Sequence, residues 1–296
     1  MERIVYSEAP RLRQPYLILG FEGWPNAGEV SSYAIQYLLD HLKTKRFASI
    51  PTEDFYQFSV SRPVATIREG RLIEMRSPVN HFYYSRIRGS RDIIFFHGTE
   101  PHLQWDRFVD LLLSLAERFS VSQIFTLGGT YDYVPHTCPP VVSAVFSGEE
   151  LREKVLEAGL ELTEYNGPVS IHTFILEAAK EREMEVISLW GHAPQYLQTK
   201  NIRVAYSVLQ RMTALTGMEV DLSELARASE YFDQQVNHLV EQDSKLREVI
   251  KKLEEIYRQS PSASRLLRKE EEAKDDKVVY IQAFLKRQDD GDKAEG

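Results

Sequence analysis

Five short apolar runs most constrain this chain: YLILGF (16–21), RDIIFFHG (91–98), QIFTLGG (123–129), VVSAVFS (141–147) and EVISLWG (185–191). Each has the length of a strand and is too short to cross a membrane as a helix. Amphipathic stretches over about 29–42, 105–119, 149–158, 172–183 and 202–215 fall between them and read as helices. A chain patterned this way is expected to fold as an α/β domain, a mostly parallel sheet covered by helices. Further strands are predicted at RFASI, FYQFSV, ATIREGRLIEMRS, NHFYYSRIR and ELTEY, with a hairpin turn at Glu69-Gly70. The first four of these read as an antiparallel extension of the sheet.

From Val220 the strands stop. Leu225, Phe232, Leu239, Leu246 and Leu253 recur every seven residues. The companion seam, Leu222, Ser229, Val236, Asp243, Ile250 and Tyr257, is interrupted by two polar residues. This pattern fits a pair of helices, or one bent helix, folded back on the domain; it equally fits an intersubunit coil, which makes the five heptad residues candidate interface positions. Beyond Gln259 the sequence SPSASRLLRKEEEAKDDK is polar and charged, and is expected to be flexible. VVYIQAFLKR is apolar enough to dock, and it adds Val279 and Tyr280 to the candidate interface. The expected organisation is an α/β core over 1–217, a helical, coiled-coil-like segment over 218–259 and a charged tail over 260–296.

Composition narrows the function. The 296 residues carry a net charge of -8, which disfavours a general nucleic-acid or anionic-membrane binder. Arg86, Arg88 and Arg91 form a local basic group that reads as a solvated face. Cys138 is the single cysteine, so an intramolecular disulfide and a cysteine-rich zinc site are excluded. Neither a signal-like segment nor an apolar stretch of eighteen residues occurs, and the expected location is the cytoplasm.

LGGTYDYVPHTCPP (127–140) is the segment richest in chemistry. The strand is expected to end at the Gly128-Gly129 pair and to turn into a loop, stiffened by Pro135, Pro139 and Pro140, that presents His136, Thr137 and Cys138. Strand ends are where α/β proteins place ligands. The candidate ligand-binding residues are Glu22, Asn26 and Gly28 from the first loop and Gly128, Gly129, Asp132 and His136 from the central one. A carboxylate and an imidazole drawn from this set can share a proton or a ligand if they converge. Each also has a plain structural reading: Asn26 caps the following helix, His97, His136 and His192 bond locally near strand ends, and Cys138 is an inert small side chain. The GxxxxGK[ST], HExxH, GxSxG and GxGxxG signatures are absent, and no lysine lies between Lys45 and Lys154 to hold nucleotide phosphates for an ATP-grasp ligase.

GFEGWPNAGEVSSYAIQYL, LGGTYDYVPHTCPPVV and YNGPVSIHTFILEAAKEREMEVISLWGHAPQYL together resemble the proteasome assembly chaperone family in its bacterial and archaeal branch, over about 16–215. The resemblance implies a phosphorylase/hydrolase-like α/β sandwich, small homo-oligomers, and binding of proteasome subunits without chemistry. Archaeal adaptors of this kind dock through a C-terminal hydrophobic-Tyr-any signature; here the match, Val279-Tyr280-Ile281, is internal. Cys138 stands where many bacterial relatives are expected to carry arginine, which removes any anion-binding role of that residue. The expectation is therefore a non-enzymatic, assembly-chaperone-like protein without metal or cofactor. Its partners are expected to be itself and proteasome subunits or another protein complex. The alternative is a small-molecule hydrolase or ligand sensor at the glycine-rich strand ends.

Overall fold

A computed structural model describes residues 4–87 and 91–259. Its strands are β1 (Val5–Tyr6), β2 (Tyr16–Glu22), β3 (Lys45–Ser49), β4 (Val64–Arg68), β5 (Arg71–Arg76), β6 (Asn80–Ser85), β7 (Ile93–Thr99), β8 (Gln123–Asp132), β9 (Val142–Phe146), β10 (Glu161–Leu162) and β11 (Val186–Pro194). Its helices are α1 (Val30–His41), α2 (Trp105–Arg118), α3 (Arg152–Glu157), α4 (Ile171–Glu181), α5 (Ile202–Thr216), α6 (Ser223–Gln242) and α7 (Ser244–Gln259).

Nine strands form one mixed sheet in the order β1-β3-β6-β7-β2-β8-β11-β9-β10. The four central strands, β7, β2, β8 and β11, are parallel, as their unbroken apolar runs require of strands covered on both faces. Alternation along β2 sends Leu17, Leu19 and Phe21 into one core and Ile18 into the other. Residues of α1, α3 and α5 fill the core on the Ile18 side, and residues of α2 and α4 fill the core on the opposite face. The α/β expectation is met in three layers.

Several local readings need correction. β8 does not stop at Gly128-Gly129 but runs through the pair to Asp132. FYQFSV forms turns instead of a strand: Phe55 and Tyr56 are buried, with the Tyr56 hydroxyl 2.7 Å from Asn80 Oδ1 and 2.6 Å from the Thr99 carbonyl. ELTEY contributes only two paired residues, and the unpredicted Val5–Tyr6 pairs with β3. The Glu69-Gly70 turn forms as expected: both residues have positive φ, 50° and 75°, the combination a two-residue hairpin turn demands.

The heptad region is two helices. Asp243, a polar interruption of the seam, ends α6 with extended backbone and caps α7, its Oδ1 accepting from the amides of Lys245 at 2.9 Å and Leu246 at 3.1 Å. Leu225 is buried in the α1/α3/α5 core. Val236, Val240, Leu246, Ile250 and Leu253 bury against Tyr196 and Leu197, with Phe232 and Leu239 half-buried around them. Within one chain the seam thus already packs against its own domain. Val279 and Tyr280 lie outside the described residues.

Candidate functional site

The glycine pair serves packing inside β8. The Gly128 position lies against Trp190 of β11, where a β-carbon would stand 2.9 Å from the indole Cε3. At Gly129 a β-carbon would overlap the carbonyl oxygen of Ala27, because the loop from Glu22 to Asn26 lies directly on the strand: the Gly129 amide donates to the Pro25 carbonyl at 2.8 Å. Asn26 accepts from the Ser32 amide and donates to its hydroxyl, both at 2.9 Å, so it satisfies the first turn of α1. Gly28 has φ 59° and its carbonyl accepts from the Asn201 amide at 2.8 Å. Glu22 ends β2 with its carboxylate exposed and 4.0 Å from His97 Nε2. Burial holds the His97 imidazole below its ordinary pKa, which Glu22 opposes.

Glu100, which sequence reading passed over, ties this loop to α4. Its Oε1 accepts from the Ile171 amide at 2.9 Å and its Oε2 from the Trp24 amide at 3.2 Å. Burial raises its pKa, and those two backbone donors oppose the rise. Deeper still, His172 is enclosed by Phe21 and Trp190, with Ser188 Oγ 3.3 Å from its Nδ1. Complete burial pushes its pKa down to about 3, so the ring is neutral at physiological pH.

Asp132 and His136, the two titratable candidates of the central loop, have different partners. His136 is buried in the loop beneath α6, where the Tyr196 hydroxyl lies 2.8 Å from Nδ1 and also accepts from the His136 amide at 2.7 Å. Asn237 Oδ1 at 3.1 Å accepts from Nε2, which assigns the ring proton to that nitrogen. Burial lowers the pKa of His136, and the bond to Asn237 opposes this. The same loop is latched to α7: Thr137 donates to Glu254 at 2.5 Å, and Tyr257 donates to the Pro139 carbonyl at 3.0 Å. Arg203 of α5 pairs with Asp233 of α6 at 3.1 Å. The exposed loop of the sequence reading is in fact half-covered by the helical pair.

The imidazole that reaches Asp132 belongs to His192. Its Nδ1 donates to Asp132 Oδ2 at 2.7 Å, and its Nε2 lies 2.8 Å from Ser143 Oγ. Asp132 and Ser143 are buried, and the three side chains link the neighbouring strands β8, β11 and β9. Ser143 had no signal in the sequence beyond being a lone hydroxyl in an apolar strand. Among the described residues no cluster of His, Cys, Asp or Glu could hold a metal ion, and no helix is long and apolar enough to cross a membrane.

The exposed apolar surface lies elsewhere. Val64, Ile67, Leu72, Ile73 and Met75 of the β4–β5 hairpin are 57–65% exposed, and the two strands form a separate sheet. Four arginines, Arg62, Arg68, Arg71 and Arg76, stand against Glu69 and Glu74 in the same segment.

Comparison with known proteins places the architecture. A PAC2 family protein of Streptomyces avermitilis superposes with a TM-score of 0.72 at 30% identity, covering 79% of this chain and 99% of that one. A Mycobacterium tuberculosis proteasome-assembly chaperone homologue gives a TM-score of 0.72 at 26% identity, with the same coverage. The Pyrococcus furiosus archaeal proteasome activator PbaB gives 0.64 at 25% identity over 81% of this chain and 99% of its own. Among curated proteins none matches significantly. The family profile of PAC2 matches residues 20–240, and the chain belongs to the PAC2 family.

Proposed function

We propose that this protein works by binding other proteins, as an assembly-chaperone-like factor of the cytosol whose partners are proteasome-type subunits or another complex built from related chains. The observation that carries this reading is the β4–β5 hairpin. A two-stranded ribbon alone in water is marginally stable, and this one spends five large apolar side chains on solvent. Such a surface is characteristic of a binding site. Its charge, four arginines against two glutamates, suits an apolar partner surface rimmed with acidic residues.

The family supports the same reading, since relatives are a proteasome-assembly chaperone homologue and a proteasome activator. Self-association belongs to the reading as well, with the hairpin as the interface in place of the heptad residues that pack at home. The test is capture of the tagged protein from its own cells, followed by intact-complex mass measurement. Stable co-purifying protein, lost when Ile67 and Met75 are replaced by Asp, is the expected result; a monomer that captures nothing in either form sinks it.

A further inference from the structure

We infer that Ser143 is an activated nucleophile, and that the Asp132–His192–Ser143 relay takes the acyl group of a small ester. The hydrogen-bond chain is that of a nucleophile, its base and the group that orients the base. A carboxylate only accepts, so the His192 proton facing Asp132 Oδ2 at 2.7 Å sits on Nδ1. Nε2 is then left as the acceptor for the hydroxyl of Ser143 at 2.8 Å. Asp132 is itself oriented, its Oδ1 accepting from the Tyr133 amide at 2.8 Å. A nucleophile, a base within hydrogen-bond reach and a third group fixing the base's tautomer define this relay wherever it occurs, irrespective of chain order.

Three strands supply the residues. Strand β11 runs antiparallel to β9 on one side and parallel to β8 on the other, so the side chains converge across it although they lie 49 and 60 residues apart in sequence. Ser143 is 1% exposed, whereas the His192 side chain is 12% exposed and lines a surface depression with His136, Cys138, Pro139, Pro140 and Arg203. With Ser143 enclosed and His192 the more exposed of the two, the inferred substrate carries a short acyl group that reaches the hydroxyl beside the imidazole.

In the reaction, Ser143 Oγ bonds to the ester carbonyl carbon as its proton passes to His192 Nε2. The alcohol leaves with that proton, giving acyl-Ser143. Water then adds to the acyl carbon, giving its proton to Nε2; the carboxylic acid departs and Ser143 recovers the proton. Asp132 acts as a positioning residue that stabilises the transient imidazolium.

The test uses the full chain with p-nitrophenyl acetate. The expected result is a burst of nitrophenolate equal to one per chain, and an acetyl group mapped by mass spectrometry to the peptide carrying Ser143. Ser143→Ala removes the burst while the chain still unfolds cooperatively, with the modest loss of stability that one buried hydrogen bond implies. His192→Gln and Asp132→Asn each slow acylation by about 100-fold or more, and His192→Gln also flattens its pH profile. Should Ser143→Ala not fold, Ser143→Cys keeps a nucleophile of similar size and moves the acetyl to that sulfur. Absence of a burst, or acetylation that Ser143→Ala leaves unchanged, overturns the inference. Partner capture is independent of all these readouts.

Discussion

The amide of Gly129 donates to the carbonyl of Pro25 at 2.8 Å, fastening the loop after β2 onto the middle of β8. Any side chain at 129 therefore meets backbone, which cannot rotate away. Gly129→Ala is expected to cost about 3 kcal/mol, at the upper end of overpacking. Gly128→Ala meets the partly exposed ring of Trp190 and should cost about half as much. Urea unfolding of the two variants gives the ordering; equal losses would show that the loop, and not the ring, yields.

Asp243 holds the break between α6 and α7. Asp243→Ala removes the acceptor for two amides at the start of α7 and is expected to cost about 1 kcal/mol. The loss should be confined to the helical pair, so hydrogen exchange ought to accelerate in α7 and stay unchanged in β2 and β8. Uniform acceleration across the sheet would contradict the capping role.

Leu246 tests the packing of the same pair. It is 4% exposed against Tyr196 and its neighbours, and Leu246→Ala should cost about 2–4 kcal/mol by the cavity it leaves. Ile67→Ala in the hairpin, 64% exposed, should change stability by less than about 0.5 kcal/mol. Thermal melts of both variants compare them directly. A large loss at Ile67 would mean that the hairpin is stabilised from within its own chain.

The buried histidines give a signed pH dependence. His172 has its folded pKa depressed to about 3, and burial depresses His136 in the same direction. The unfolded chain therefore binds more protons below about pH 6.5, and the stability these neutral rings contribute is present above that pH and lost as pH falls toward about 3. For His172 alone the slope approaches about 1.4 kcal/mol per pH unit. His172→Phe should flatten the stability profile between pH 6 and 4 relative to the parent protein. Parallel profiles in urea titrations at those pH values would rule out a neutral, buried His172.

Local pattern was enough for most of the elements. The runs YLILGF, RDIIFFHG, QIFTLGG and EVISLWG lie in strands because apolar side chains in succession need cover on both faces, and the intervening helices carry one apolar stripe each. The reading failed where context overrode propensity. Gly128-Gly129 looks like a strand end in isolation, yet it lies within β8 because Trp190 and the Pro25–Ala27 loop occupy the space its side chains would need. FYQFSV has strand composition, but Phe55 packs on Phe108 and Tyr56 reaches Asn80, so the segment gains more as a folded turn. Asp243 lay in the seam as a flaw in a coil and turned out to be a cap.

By itself the sequence determined that this is an α/β chain with a heptad-patterned helical end, since periodicity is a property of neighbours along the chain. It also carried the family, through motifs spread over its first two-thirds. Which imidazole meets Asp132 was decided only by tertiary structure: strand order β8-β11-β9 brings His192 and Ser143 to it, while Tyr196 and Asn237 claim His136. The fate of the apolar surface was decided there too. Leu246 and Leu253 found cover against Tyr196 and Leu197, and the hairpin, joined to the rest through residues 50–63 and 77–79 and forming its own sheet, found none. Burial depends on what lies opposite in space, and no local pattern encodes that.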